Sequence, residues 1–193
     1  HLLSEAEKAC TRARSLTMQL LTFSKGGEPV RETTSIDKVL EESVNFSLPG
    51  SNVDCTFAID GELWNADIDK GQIHQALSNI VINAVQAMPE GGTITIFAGN
   101  VTLGPHDCPP LPAGNYIRID IGDTGSGIRP EHLPKIFDPY FTTKQKGSGL
   151  GLATVYSVVK RHDGHLTVDS KLGEGTTFTR SEERRVGKEC RSR

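Results

Sequence analysis

The chain has 193 residues, 36% of them hydrophobic, and a formal net charge of −3, which suits one well-cored domain with an appendage. No apolar run approaches bilayer-spanning length and no signal-peptide pattern stands at His1, so a soluble segment in a reducing cytoplasm is expected, with a membrane-anchored parent left open. Cys10, Cys55, Cys108 and Cys190 lack metal-ligand spacing and are too few for a disulfide framework.

Residues 1–25 read as one helix, because Leu2, Ala6, Ala9, Ala13, Leu16, Leu20 and Phe23 recur alternately four and three apart. A stripe two residues wide per heptad suits a helical bundle better than a globular core. Gly26, Gly27 and Pro29 end that helix and open a linker over residues 26–34. A compact domain is expected over 35–179. Ser35 caps a helix through about Leu48, stopped by Pro49 and Gly50. Val53–Ile59 and Leu63–Ile68 alternate as two strands, and Asp60-Gly61 between them predicts a hairpin. Asp69–Met88 carries a helical apolar face of Ile73, Ala76, Leu77, Ile80, Val81, Ala84, Val85 and Met88, and ends at Pro89-Glu90-Gly91-Gly92. Strands follow at Thr93–Asn100 and Tyr116–Asp123, separated by a Pro/Gly-rich loop. Residues 124–149 are glycine-rich, with a short helical stretch near Glu131–Phe137. Leu150–His162 is helical, and His165–Ser170 and Thr176–Thr179 are strands. Strands and helices in this mixed order predict an α/β fold with helices covering one face of a sheet.

The last fourteen residues, Arg180–Arg193, change composition abruptly and resemble a forward-frame translation of a short-read sequencing adapter. They are expected to be a non-native tail, the alternative being a natural basic extension. They hold six Lys/Arg and three Asp/Glu, so residues 1–179 carry 15 basic against 21 acidic groups, a net charge of −6. That acidity argues against nucleic acid as a partner.

Four segments carry chemistry. Asn79 and Asn83 lie four apart on one face of a helix, among apolar neighbours. Amides there need partners, and their oxygens suit a hard cation such as Mg²⁺. Helix-bridging asparagines are the plain alternative. Asp123-Thr124-Gly125-Ser126-Gly127-Ile128 puts a carboxylate at the end of an apolar strand and a tight turn beside it, where an exocyclic amine could be read and backbone could approach a planar ligand. Ile136–Lys144 sets Phe137, Tyr140 and Phe141 beside Thr142, Thr143 and Lys144, the make-up of a lid over phosphates or of a loop with an apolar anchor. Gly147-Ser148-Gly149-Leu150-Gly151-Leu152 opens a helix and exposes N–H groups at the positive end of its dipole. It lacks the Lys-Ser/Thr ending of a Walker loop.

Each segment alone is ambiguous. Together, in this order, they resemble the N, G1, F and G2 boxes of the histidine-kinase branch of the ATPase superfamily that includes gyrase, Hsp90 and mismatch-repair proteins. The resemblance runs from about Glu28 to Thr179. It implies a two-layer α/β sandwich, a mixed sheet with helices on one face, and ATP beneath a lid at about Arg129–Ser148. By analogy Asp123 meets the adenine amine with Gly125, Gly127 and Ile128 beside it, and Thr176 or Thr177 supports the base. Asn83 holds Mg²⁺ with Asn79 nearby, while Lys144 and the run Gly147, Ser148, Gly149, Leu150, Gly151 meet the phosphates.

Arg14–Ser24 is similar to the second helix of the family's dimerisation and histidine-phosphotransfer domain, and the wording of the F and G2 segments resembles nitrogen-sensor-type and hybrid kinases. The resemblance implies a protein-histidine kinase that passes phosphate to a bundle histidine, carried by a first helix not in this chain, and on to a response regulator, working as a homodimer. No catalytic residue is then expected within the 193 residues. Relatives that hydrolyse ATP resemble one another in a Glu four residues before the Mg²⁺-binding Asn; here Asn79 stands there, a poor base. A hydrolase or nucleotide-gated clamp, and a binding module without catalysis, are the other readings.

Overall fold

The computed structural model describes residues 28–105, 107, 110–144 and 147–183. The expected bundle helix at 1–25 and most of the tail lie outside these. The described chain runs β1 (Glu32–Ser35), α1 (Ile36–Ser47), β2 (Val53–Asp60), β3 (Asn65–Ile68), α2 (Lys70–Ala87), β4 (Gly92–Leu103) and β5 (Gly114–Asp123). A 3₁₀ turn (Leu133–Lys135), α3 (Gly151–Arg161), β6 (His165–Lys171) and β7 (Gly175–Glu183) complete it.

Five strands form one mixed sheet in the order β2-β4-β5-β7-β6, with β2 and β4 parallel and the other pairs antiparallel. Alternation along β4 and β5 sends Ile94, Ile96, Ala98, Ile117, Ile119 and Ile121 into the core. All three helices lay their apolar faces over that side: Ile36, Val39 and Leu40 from α1, Ile73, Leu77 and Ile80 from α2, Val155, Val158 and Val159 from α3. The opposite face meets water, with the Arg118–Asp120 ion pair at 2.8 Å on β5. This is the expected two-layer α/β sandwich with helices on one side.

Four local expectations are corrected. The Asp60-Gly61 hairpin does not form. Gly61 does adopt a left-handed φ of +67°, but β2 pairs with β4 while β3 pairs with β1 in a separate two-stranded sheet. Asn100 on β4 explains the divergence: its side chain accepts from the Trp64 N–H at 3.0 Å and donates to the Glu62 carbonyl at 2.8 Å. The chain after the turn is thereby held on β4 instead of folding back along β2. The linker, in turn, is shorter than its glycines and proline imply, because Glu32–Ser35 finds the edge of β3 and becomes β1. Finally, the last strand does not stop at Thr179. It pairs with β5 as far as Glu183, with Arg180 and Ser181 buried, since a ladder of main-chain bonds accepts any residues that can stay extended. The helical stretch expected at 131–137 is only the 3₁₀ turn.

A tie across the helix layer holds α2 and α3 together. Asp69 caps α2 by accepting from the Gln72 N–H at 3.0 Å. Its own N–H donates to His162 Nε2 at 3.0 Å, while His162 Nδ1 lies 2.8 Å from the Val158 carbonyl. Both contacts are satisfied when the proton sits on Nδ1. Arg31 then straps the N-terminal segment to the same corner through the Arg161 carbonyl and Asp163.

Ile96 is fully buried at the centre of the sheet, whereas Ile59 on β2 is 36% exposed. Ile96→Ala should therefore cost about 2–5 kcal/mol of unfolding free energy in urea, and Ile59→Ala under about 1 kcal/mol. Equal effects would place the core elsewhere.

Candidate nucleotide site

The four segments singled out in the sequence meet at one end of the sandwich. They line a cleft of about 840 Å³ walled by α2, the β5 end, the N-terminus of α3 and the loop between β5 and α3. Of the expected residues, Asn79, Asn83, Asp123, Gly127, Ile128, Lys144, Gly147, Ser148, Gly149, Gly151 and Thr176 line it directly. Gly125, Leu150 and Thr177 do not. Gly125 and Leu150 are buried behind the wall, and Thr177 lies one residue further along β7, with its side chain toward Gly122.

Asp123 is delivered by the last residue of β5. Its Oδ1 accepts the Gly125 N–H at 2.9 Å, and Thr176 sits opposite it on β7. Burial pushes the carboxyl above its usual range, and the Gly125 and Thr176 N–H groups and the Lys144 ammonium pull it back. The turn after Asp123 is stapled on three sides. Ser126 donates its N–H to the Ala87 carbonyl at the end of α2, its carbonyl accepts from Gly173, and Ile128 donates to the Ser170 hydroxyl at 2.8 Å. Ser170 also meets the Thr176 hydroxyl at 2.9 Å. The β5 end is therefore a rigid floor.

Opposite it, the two helices meet through the paired amides. Asn79 is buried and donates from Nδ2 to the Gly151 carbonyl at 3.3 Å, which is how an amide on an apolar helix face is satisfied. The first turn of α3 lies against both amides: a Cβ at Gly151 would stand in ordinary contact, 3.7 Å from Asn83 Nδ2 and 3.9 Å from Asn79 Cγ. Unlike α2, α3 has no side chain bonded to its first N–H groups; its N-cap residue is Leu150. Those donors and the positive end of the helix dipole face the cleft.

The loop between β5 and α3 closes over this floor. Tyr140 donates its N–H to the Gly149 carbonyl at 3.0 Å, pinching the loop at its base. Gly149 has a φ of +67° and lies against the Tyr140 backbone, so no larger residue fits there. Lys144, near the tip, reaches back to α2 and donates to Asn83 Oδ1 at 3.0 Å and to Gln86 Oε1 at 2.6 Å. Loss of surrounding water lowers the tendency of this amine to stay charged, and Asp123 opposes that shift.

Gln86 was not among the residues expected from the sequence. It stands three residues after Asn83 and seven after Asn79, which is one face of a helix, so spacing alone could have found it. Phe141, Thr142 and His132 also line the cleft; His132 meets Phe141 edge-on at 5.5 Å between ring centroids. Phe141 and Thr142 belong to the segment singled out in the sequence, whereas nothing in the sequence marks His132.

Gly125 lies where α2 ends. A methyl there would stand 2.7 Å from Ala87 Cβ and 2.8 Å from Asp123 Oδ1. Gly125→Ala should destabilise the protein by about 1–3 kcal/mol in urea unfolding. Gly71→Ala, in the first turn of α2 with 3.4 Å of clearance to Asp69, should instead stabilise by about 0.4–1 kcal/mol. The same sign for both would contradict the packing described.

Similar proteins bear on this arrangement. The sequence pattern of the histidine kinase-, DNA gyrase B- and HSP90-like ATPases matches residues 68–181, which contain all four segments. The sensor kinase CckA of Brucella abortus is 38% identical over 174 residues, covering 86% of this chain and 18% of that protein. The sensor histidine kinase ZraS of Escherichia coli is 30% identical over 175 residues, covering 89% of this chain and 35% of that one. The chain thus spans about a third or less of the length of these relatives. Among solved structures, full-length ShkA in complex with AMPPNP superimposes with a TM-score of 0.75 at 22% identity, over 94% of this chain and 38% of that one, a likeness of fold. The catalytic domain of histidine kinase ThkA gives 0.65 at 25% identity, over 80% and 95%. With the family pattern covering four of the five strands of the sheet, two of the helices and every wall of the cleft, the chain belongs to the histidine kinase-, DNA gyrase B- and HSP90-like ATPase family.

Proposed function

We propose that this domain binds ATP with Mg²⁺ in the cleft and donates the γ-phosphoryl group to a histidine on a bundle helix outside these 193 residues, for relay to a response-regulator aspartate. The observation that supports this reading best is the meeting, in one cleft, of a half-buried carboxylate, paired helix amides and an uncapped helix N-terminus.

Each wall has a task in that reading. Asp123 accepts from the adenine amine, with Thr176 locked beside it through Ser170, and Gly127 and Ile128 flank the base. The N–H groups opening α3 and the loop Gly147–Gly149 take the phosphates. The amide oxygen of Asn83 is the protein's ligand to Mg²⁺, which when bound neutralises phosphate charge. The fit is supported by the charge that this oxygen and that of Gln86 already accept, the Lys144 ammonium. Among the described residues no group of three His, Cys, Asp or Glu could hold a metal, so phosphate oxygens and water would complete the ion's shell.

Asn79 favours phosphotransfer over hydrolysis. A water-activating base is wanted at that position, yet Asn79 is an amide spent on tying α2 to Gly151. Two of the described histidines are engaged elsewhere. His162 is buried with both ring nitrogens engaged, and His74 is stacked edge-on with Phe46. In this reading the acceptor belongs to the bundle of a homodimeric parent, working on the cytoplasmic side where ATP is available. Among the described residues no helix is long and apolar enough to cross a membrane.

Two measurements check this. Asp123→Asn and Asn83→Ala should each weaken Mg²⁺·ADP binding by at least about ten-fold in calorimetry, the size of a lost charged hydrogen bond or metal ligand. Unchanged affinity in both would overturn the site assignment. Incubated with labelled ATP, the 193-residue chain should neither label itself nor release phosphate steadily, and a phosphotransfer bundle from the same parent should become labelled in trans. Acid-labile phosphate on His74, His132 or His165 would move the acceptor into this chain. Steady phosphate release abolished by Asn83→Ala would favour the hydrolase.

A further inference from the structure

Helix α2 presents a row of three carboxamides to the cleft, Asn79, Asn83 and Gln86, at helical offsets of four and three residues. They do not share one task. Asn79 is turned to Gly151, while Asn83 and Gln86 aim their oxygens at a single point occupied by the Lys144 Nζ. Two neutral amide oxygens converging on one charge make a cation cradle: they are acceptors with no charge of their own, and they hold an ammonium as readily as a hard metal ion.

Lys144 is tied to a particular piece of backbone. Its N–H is received by the Thr142 hydroxyl at 3.1 Å, and its carbonyl accepts from the Gly147 N–H at 3.3 Å. The side chain is thus a strut from this turn of the loop to the middle of α2, across the mouth of the cleft.

We propose that Lys144 is a tethered competitor of the divalent ion: its ammonium holds the Asn83–Gln86 cradle until the ion arrives, and the ion's entry cuts the strut between the loop and α2. The proposal rests on the nucleotide-binding reading above and adds to it a coupling between metal loading and the loop, with Gln86 as a positioning residue. Its physical basis is exclusion. A Mg²⁺ ion sits about 2.0–2.1 Å from an oxygen ligand, and the ammonium lies 3.0 Å from the same Asn83 oxygen. A dication and an ammonium on one small oxygen pair repel each other strongly in a partly dehydrated site. The four-carbon stem lets the ammonium leave without breaking the fold, and it leaves toward the phosphate end of the cleft, where negative charge has just arrived. The cradle is therefore never without a charge.

The test uses the full chain and two readouts. Without metal or nucleotide, hydrogen exchange over residues 137–149 should be about ten-fold faster in Lys144→Met than in the natural chain, as expected for a lost charge-assisted tie. Gln86→Leu should speed exchange there in the same direction, and the double variant should exchange no faster than Lys144→Met alone. In the second readout, ADP binding is followed by calorimetry as Mg²⁺ is raised. Lys144→Met should reach half-saturation at about three- to ten-fold less Mg²⁺, even if its affinity for ADP falls. Lys135→Met, which removes a lysine from the 3₁₀ turn outside the cradle, should leave both readouts unchanged. Exchange indifferent to Lys144→Met, or an equal or higher Mg²⁺ requirement in that variant, would overturn the proposal while the nucleotide site stood. Failure of the natural chain to bind Mg²⁺·ADP at all would instead remove the reading on which it rests.

Discussion

A helix that must be apolar enough to pack on a sheet and polar enough to serve a ligand faces a desolvation problem, and α2 is built around its solution. One side buries Ile73, Ala76, Leu77, Ile80, Val81 and Ala84. The side chains between them and the cleft are carboxamides, which would cost several kcal/mol each if left dry and unpartnered. Each has a partner drawn from a different element: Asn79 from the start of α3, Asn83 and Gln86 from the loop that precedes it. The need is greatest at Asn79, which is buried, whereas Asn83 is half-buried and Gln86 is exposed. Amides, being neutral, also let the partner change, which a buried carboxylate would resist.

The rest of the molecule supplies the stiffness that such an exchange requires. The Asp69–His162 bond fixes the far end of α2 to the far end of α3, so the near ends, where the cleft lies, meet at a set angle. The turn after β5 is bonded to α2, to β6 and to the turn between β6 and β7, leaving Asp123 little freedom. Between Tyr140 and Gly149 the described residues are tied back by the Tyr140–Gly149 bond and by Lys144. Floor and cover belong to the same sheet end, since strands stop there and main-chain donors pass to turns and to a helix N-terminus.

The family resemblance read from residues holds up in the fold and in the family match, and the substitution of Asn for a carboxylate at position 79 acquires a structural sense. Its amide bridges two helices through a donor, which a carboxylate could not supply to the Gly151 carbonyl. The tie between α2 and α3 thus depends on an amide donor at position 79.

What the sequence determined by itself were the elements with strong local signals and the chemistry of the four segments. Periodicity set the apolar faces of α2 and of β4 and β5, and glycine spacing marked the turns, because those patterns depend on neighbours three, four or two residues away. Strand partnership was beyond it. Asp60-Gly61 carries a hairpin signal that is locally sound, yet Asn100, some forty residues on, binds the chain after the turn and sends β3 to β1 instead. Likewise the continuation of β7 past Thr179 depends on an open edge of β5, and the choice of Thr176 over Thr177 for the cleft depends on register. The role of Gln86 belongs here too. Its spacing was visible, but only the fold brings a lysine from a loop 58 residues later to its oxygen, since a side-chain contact at that separation is set by the packing of whole elements.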